Sequence, residues 1–382
     1  MFQRTIFNSD HEAFRASVRR FVEAEIAPHH AQWEKEGEVS RDAWLKAGEA
    51  GLLCPAVPEE FGGAGADFLY STIVLEEHCR ANALGPGFTL HSDIVAPYIL
   101  HYGTEEQKHR WLPDMVAGRT IGAIAMTEPS GGSDVQNIRT RADRDGDHFV
   151  LNGQKVFITN GFMCDLVIVA CKTDPAQGAK GTSLIVVEAG TPGFTKGRKL
   201  EKIGWKAQDT SELFFDNVRV PVSNLIGAEG RGFVQLMEQL PQERLIQALR
   251  CCATMESALQ WTVDYVTDRK AFGRRIADFQ NTRFKLAEVK AQVQMMRVFT
   301  DHCLAMHMRG ELDSTDAAMA KMLSTEMQSR VLDELLQLFG GYGYMWEYPI
   351  ARAWADSRMA RIAGGTGEIM REIIGRSVLG KS

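Results

Sequence analysis

The spacing of apolar positions divides the chain into three stretches. To about residue 120 these positions recur at helical steps: Phe14, Val18, Phe21 and Ile26 lie three to five residues apart, the spacing of one buried helix face. Ser9, with Glu12 three residues on, reads as the N-cap of that helix in a capping box, and Pro28 as its end. Breakers at Pro55, Pro58 and Gly62-Gly63-Ala64-Gly65 separate further helical segments. From about 121 to 230 the pattern changes to that of strands. Phe149-Val150-Leu151 and Val156-Phe157-Ile158 flank Asn152-Gly153, a dipeptide suited to a type I′ hairpin turn. Residues 166–170, 183–187 and 213–215 predict further short strands. Helical spacing then returns. Leu245, Leu249, Cys252, Met255 and Leu259, and later Leu286, Val289, Val293, Met296, Thr300, Cys303 and His307, follow steps of three and four, as in a bundle seam.

The expected architecture is α+β: a helical unit over 1–120, an antiparallel β-barrel or sandwich over 121–230, and a helical bundle over 231–382. With no internal repeat and no low-complexity linker, the three are expected to pack as one body.

Composition narrows the function. At 382 residues, 45% hydrophobic and 24% charged, the chain is long enough for a large core. Its net charge of −6 offers no basic field for a phosphate backbone, so nucleic acid is excluded as a partner. Seven cysteines include the adjacent pair Cys251-Cys252 but no paired C-x-x-C; neither a disulfide framework nor a zinc site is indicated, which fits a reducing compartment. His29-His30, following Pro28, read as surface residues rather than metal ligands. Asp10 and Glu12 come early, no apolar leader precedes them, and no apolar run is long enough to span a membrane. The expectation is a cytoplasmic protein without membrane insertion, or a processed form residing in a mitochondrial matrix.

The chain has no G-x-G-x-x-G after a strand, no Walker loop and no H-E-x-x-H, so Rossmann cofactors, P-loop nucleotides and a zincin site lose support. By glycine content alone, Gly340-Gly341-Tyr342-Gly343 and Gly364-Gly365-Thr366-Gly367 are equally helix-terminating loops or site loops. Their neighbours change that balance. Ala125-Met126-Thr127-Glu128-Pro129-Ser130-Gly131-Gly132-Ser133-Asp134 closely resembles the signature of the acyl-CoA dehydrogenases. The resemblance continues through residues 152–161, then Asp268-Arg269-Lys270-Ala271-Phe272-Gly273, Phe279-Gln280 and Gln337-Leu338-Phe339-Gly340-Gly341, covering essentially the whole chain in order.

What the resemblance implies is specific. The fold would be that family's, with a four-helix bundle at the C-terminus, and the cofactor FAD. Met126, Thr127, Ser133, Phe157, Ile158 and Thr159 would contact the flavin side. Arg269, Phe272, Gln280, Gln337, Gly340 and Gly341 would meet the adenine-nucleotide half from a neighbouring subunit, and Thr366 and Glu368 would close over the FAD. Phe157 stands where many relatives carry tryptophan, so a ring able to stack remains. Homotetramer is the family's usual state, and electron-transferring flavoprotein its usual electron acceptor.

Abstraction of an α-proton from a thioester requires a carboxylate in an apolar setting with its pKa raised toward neutrality. Many relatives carry that glutamate just before a Gly-Thr pair near the C-terminus, but here the position is Gly364. The long-chain and isovaleryl branches place the base in a Glu-Arg-Leu run on an internal helix, and Glu243-Arg244-Leu245 matches it. Pro241 suits a first helical position; by local sequence, Glu243 would then be a first-turn carboxylate serving only the helix dipole. The glycine at 364 together with the glutamate at 243 favours Glu243 as base. By resemblance, Pro241, Arg244, Gly365 and Ser133 line the acyl-CoA site, and the Gly364 N–H donates to the thioester carbonyl. Ala363, where relatives often have tyrosine, leaves volume for bulky or branched acyl groups. Within the family, the chain most resembles the long-chain branch, through residues 345–350 and the Gln242-Glu243-Arg244-Leu245 stretch. Alternatives on the same fold are a flavin oxidase or monooxygenase and a non-catalytic flavoprotein.

Overall fold

The computed structural model of the protein describes residues 4–380. The N-terminal helical unit contains α1 (Ser9–Phe21), α2 (Ala27–Glu36), α3 (Arg41–Glu49), α4 (Phe68–Arg80), α5 (Phe88–Leu90), α6 (Ala96–Tyr102) and α7 (Glu105–Val116). Its start differs from the expected one by a residue. Asn8 is the N-cap of α1, accepting from the N–H groups of Asp10 and His11, and His11 closes the box by accepting from the Asn8 N–H at 3.2 Å. Nor does Pro28 end the helix. A π-turn, Val22–Ile26, joins α1 to α2, and Pro28 falls in the first turn of α2, where a missing N–H does little harm. His30 is not a surface group. Its Nε2 accepts from the Gly85 N–H at 3.0 Å, and burial pushes its pKa down to about 4.

The middle unit is a curled sheet of β1 (Gly122–Ala125), β2 (Arg141–Asp145), β3 (His148–Thr159), β4 (Leu166–Lys172), β5 (Thr182–Glu188), β6 (Phe194–Lys199) and β7 (Thr210–Pro221) in the order β1-β4-β2-β3-β7-β6, with β5 on β4. It is predominantly antiparallel, as expected, but β4 runs parallel to β1 and to β2. The predicted hairpin at Asn152-Gly153 is absent: β3 passes straight through these residues, with a bulge against β7. Gly153 is needed because a Cβ there would stand 2.6 Å from Thr140 Oγ1. The hairpin turn lies between β2 and β3, where Gly146 adopts φ +63°. Both faces of the sheet are covered. Ile124, Ile168, Leu184 and Val186 join a core with Tyr98, Trp111 and Leu112, while Phe149, Leu151, Val167, Ile185 and Val218 form a second core.

The C-terminal unit is built from α8 (Gly232–Asp268), α9 (Gln280–Met308), α10 (Ser314–Gln337), α11 (Pro349–Ala360) and α12 (Gly367–Leu379), with a short hairpin of β8 (Lys270–Ala271) and β9 (Arg274–Arg275) between α8 and α9. The expected seam is real: Cys252, Met255 and Leu259 of α8 pack with Val289, Val293 and Met296 of α9 and Val331 and Leu335 of α10. The start of α8 differs from expectation, since Pro241 lies ten residues into it. Tertiary contacts extend the helix backward: Leu236 is buried in the first core, and Gln235 donates to the Ile226 carbonyl at 3.1 Å. Glu243 is therefore three turns inside, and the dipole account of it falls. All seven cysteines are free and buried. Among the described residues, no helix is long and apolar enough to cross a membrane.

Candidate active site

The loop after β1 is shaped from beneath by a buried ion pair. Lys155 of β3 donates to Glu128 Oε1 at 2.9 Å and to the Met126 carbonyl at 3.0 Å, and the Val156 N–H donates to the Thr127 carbonyl at 3.0 Å. Glu128 also accepts from the N–H groups of Arg139 and Thr140 and from the Thr140 hydroxyl. Burial works to raise the Glu128 carboxyl, but Lys155 and the Thr140 donors outweigh it and hold it below its ordinary pKa. Ser133 lies further along this loop, exposed. Next to the fixed backbone of Thr127, Phe157 combines φ +61° with a side chain 68% exposed. A large ring held outward on a left-handed backbone, which costs about 1–3 kcal/mol, is the kind of strain kept for a ligand. Ile158 is buried behind it, and the half-buried Thr159 follows.

The acid–base element is assembled by a proline and a glutamine. Between α5 and α6 the helix widens into a π-turn, His91–Val95. Pro97 has no N–H for the Asp93 carbonyl four residues earlier; Gln242 Nε2 fills the vacancy at 2.7 Å. This docks α8 on α6 and sets the next residue of each helix side by side, so that the Tyr98 hydroxyl donates to Glu243 Oε1 at 3.0 Å. Glu243 is buried. Burial pushes its carboxyl up to about 7, with Tyr98 and Arg244 pulling the other way. Arg244 is directed elsewhere, donating to Ser314 Oγ at 2.8 Å. The site thus holds a carboxyl poised to exchange a proton near neutral pH, the property a general base requires.

Gly364 and Gly365, in the turn between α11 and α12, adopt φ +68° and +95°. A side chain at 364 would have open space, so the glycine serves conformation and not close packing. Lys321 of α10, fully buried, donates to the Gly365 carbonyl, and burial pushes its ammonium down to about 8. Thr366 caps α12 by accepting from the Ile369 N–H, and Glu368 lies in the first turn.

Family models describing the N-terminal, middle and C-terminal domains of acyl-CoA dehydrogenase match residues 8–119, 123–218 and 230–379. The chain belongs to the acyl-CoA dehydrogenase family. The mitochondrial long-chain specific acyl-CoA dehydrogenase of Mus musculus is 52% identical over 99% of this chain and 89% of its own length. The mitochondrial isovaleryl-CoA dehydrogenase of Oryza sativa is 36% identical over 98% and 92%. The crystal structure of an acyl-CoA dehydrogenase from Geobacillus kaustophilus superposes with a TM-score of 0.97 at 50% identity, covering 98% of this chain and all of that one.

An acyl-CoA dehydrogenase is an FAD-dependent oxidoreductase acting on an acyl-CoA thioester. The residues here fit FAD: β3 carries the exposed Phe157 ring and Thr159, and the neighbouring Val156 N–H and Lys155 tie this strand to the fixed backbone of the Thr127 loop after β1. The residues expected at the nucleotide half form a separate group. Arg269 caps α8 and lies over the Tyr342 ring at 5.2 Å, bringing it to the Gly340-Gly341 turn after Gln337, the last residue of α10. Phe272 is 95% exposed with φ +51°, and Gln280 opens α9. At about 1.5 Å per residue, Arg269 lies about 39 Å along α8 from Glu243. The two groups of candidate residues therefore lie toward opposite ends of the same helix.

Four residues of the site escaped the sequence reading. Tyr98 carries no local mark and Gln242 stood in a matched stretch without a role, since the meaning of each lies in a contact with a residue 145 or 149 positions away in sequence. Lys321 left a trace, being a charge amid the small apolar residues 317–320, and Glu128 stood inside the quoted motif without a role.

Proposed function

We propose that this acyl-CoA dehydrogenase forms the trans-2-enoyl thioester from a long-chain or branched acyl-CoA, with Glu243 removing the α-proton. The observation that carries the reading is the Glu243 carboxyl itself, buried on α8, bound by Tyr98 and raised to about 7, while position 364 is glycine. FAD, when bound, supplies at N5 the acceptor for the β-hydride. Met126, Thr127, Ser133, Phe157, Ile158 and Thr159 bind its flavin side, and Thr366 and Glu368 close over it. The N–H of Gly364 donates to the thioester carbonyl, stabilising charge as the α-proton leaves; Lys321 fixes that turn through Gly365. Pro241, Arg244, Gly365 and Ser133 line the path of the acyl-CoA. The acyl class is drawn from the long-chain and isovaleryl enzymes that the chain resembles.

The two groups of residues toward opposite ends of α8 support a FAD site shared between subunits. Arg269, Phe272, Gln280, Gln337, Gly340 and Gly341 of one subunit would hold the adenine half of a neighbour's FAD, in a homotetramer of 1–120, 121–230 and 231–382 units. Electrons leave to electron-transferring flavoprotein, in a cytoplasmic or matrix setting. The test is anaerobic mixing of the purified protein with short, long and branched CoA thioesters while following the visible flavin band. Bleaching by long or branched thioesters is expected, and Glu243→Gln should keep its FAD and lose bleaching by about 10²–10⁴-fold in rate. No bleaching with any thioester, or a Glu243→Gln variant of normal rate, overturns the reading.

A further inference from the structure

A general base on a helix needs its carboxylate held in one rotation, and the Glu243 side chain has one hydrogen bond to do this. The donor is the hydroxyl of Tyr98, itself fully buried, on a helix that Gln242 ties to α8 one residue away. The bond engages Oε1, so Oε2 is the oxygen left for a proton arriving from substrate. We propose that Tyr98 is a positioning residue for proton abstraction, its hydroxyl fixing the Glu243 carboxylate through Oε1 and presenting Oε2 to the α-carbon. The proposal rests on Glu243 being the base.

Two consequences follow from the chemistry of the bond. A phenol donates better to a carboxylate than to a neutral acid, so it favours the ionised form and opposes the burial that raises Glu243. Conversely, burial, together with the carboxylate, drives the Tyr98 phenol well above its ordinary pKa, so the hydroxyl stays a donor at any working pH. The groups around Glu243 leave this bond its main specific control. Arg244 on the same helix also favours the ionised form, but its guanidinium is bound to Ser314. From the π-turn, Asp93 presents its carbonyl to Gln242, and its own buried carboxyl, pushed up to about 7 by burial, titrates in the same range and is common to parent and Tyr98 variants. From α4, Glu76 and Glu77 are paired with Arg15 and Arg19. Lys321 of α10 is turned to Gly365, and on α6 and the first turns of α8, Tyr102 donates to Glu238 and His101 faces Gln239.

The test uses the FAD-loaded enzyme and the rate of anaerobic flavin bleaching by its best thioester, measured from pH 5 to 9. Tyr98→Phe keeps the ring and removes the donor. The acid limb of the profile should move up by about one pH unit, so that well below that limb the rate falls about tenfold, while the plateau at high pH changes less. A tyrosine fluorinated beside its hydroxyl, placed at 98, keeps shape with a stronger donor and should move the limb down. An unmoved limb in both variants overturns the proposal; if Glu243→Gln is inactive in the same assay, the base itself stands. A Glu243→Gln enzyme of normal rate removes the base and Tyr98's role together.

Discussion

Gln242 donates through Nε2 to the backbone carbonyl of Asp93 at 2.7 Å, the carbonyl that Pro97 leaves without an N–H. A side chain of one helix thus completes the hydrogen bonding of another. Gln242→Leu would leave that carbonyl unpaired and is expected to lower stability by about 1–3 kcal/mol. Adding Pro97→Ala restores an N–H four residues after Asp93 and should recover part of the loss. Urea unfolding of the single and double variants measures both effects.

Glu243 makes stability fall as pH rises. Its carboxyl ionises near 4.5 in the unfolded chain and at about 7 when folded, so between those values the native state holds the extra proton. Stability contributed by the buried acid is present below pH 4.5 and lost as pH climbs through 7. At about 1.4 kcal/mol per pH unit, the loss is on the order of 3 kcal/mol. Glu243→Gln lacks this dependence and should be the more stable protein at pH 8 by up to that amount, converging on the parent near pH 4.5. Denaturation midpoints of the two proteins across this range check the sign.

Lys155 and Glu128 hold the loop of Met126 and Thr127 from below, both almost entirely buried. Lys155→Met strands a buried carboxylate and should destabilise by about 3–5 kcal/mol, whereas Lys155→Met with Glu128→Gln should lose markedly less than the sum of the two single changes. Flavin release, followed by fluorescence, should be faster in Lys155→Met, because the loop backbone loses its anchor at the Met126 carbonyl.

Phe157 separates fold from function. Replacing it with glycine relieves a left-handed backbone at little loss of buried surface, since the ring is 68% exposed. Flavin-free protein should gain about 1 kcal/mol in stability once glycine's own entropy is counted, while FAD affinity should fall about tenfold with the lost stacking. Calorimetry of flavin-free and flavin-loaded protein distinguishes this from an ordinary packing role, for which both forms would weaken.

The one-dimensional pattern determined a great deal here. Helical spacing marked the seam of α8 and α9, short apolar runs of β-branched or aromatic residues marked β4, β5 and β7, and the absence of a carboxylate at 364 together with Glu243-Arg244-Leu245 pointed to the candidate base. These are features whose information is local, or is a composition at a fixed place in a long motif. Tertiary structure decided the rest, because the deciding partner lay elsewhere in the chain. Asn152-Gly153 has the chemistry of a turn, yet the close approach of Thr140 accounts for the glycine, and β3 continues through it with a bulge. Pro241 has the chemistry of a helix start, yet contacts at Gln235 and Leu236 extend α8 nine residues before it. A carboxylate in a sequence has no pKa of its own. Glu243 became a group that titrates near 7 only when folding removed its water, which raises it by more than the Tyr98 hydroxyl against one oxygen pulls it back.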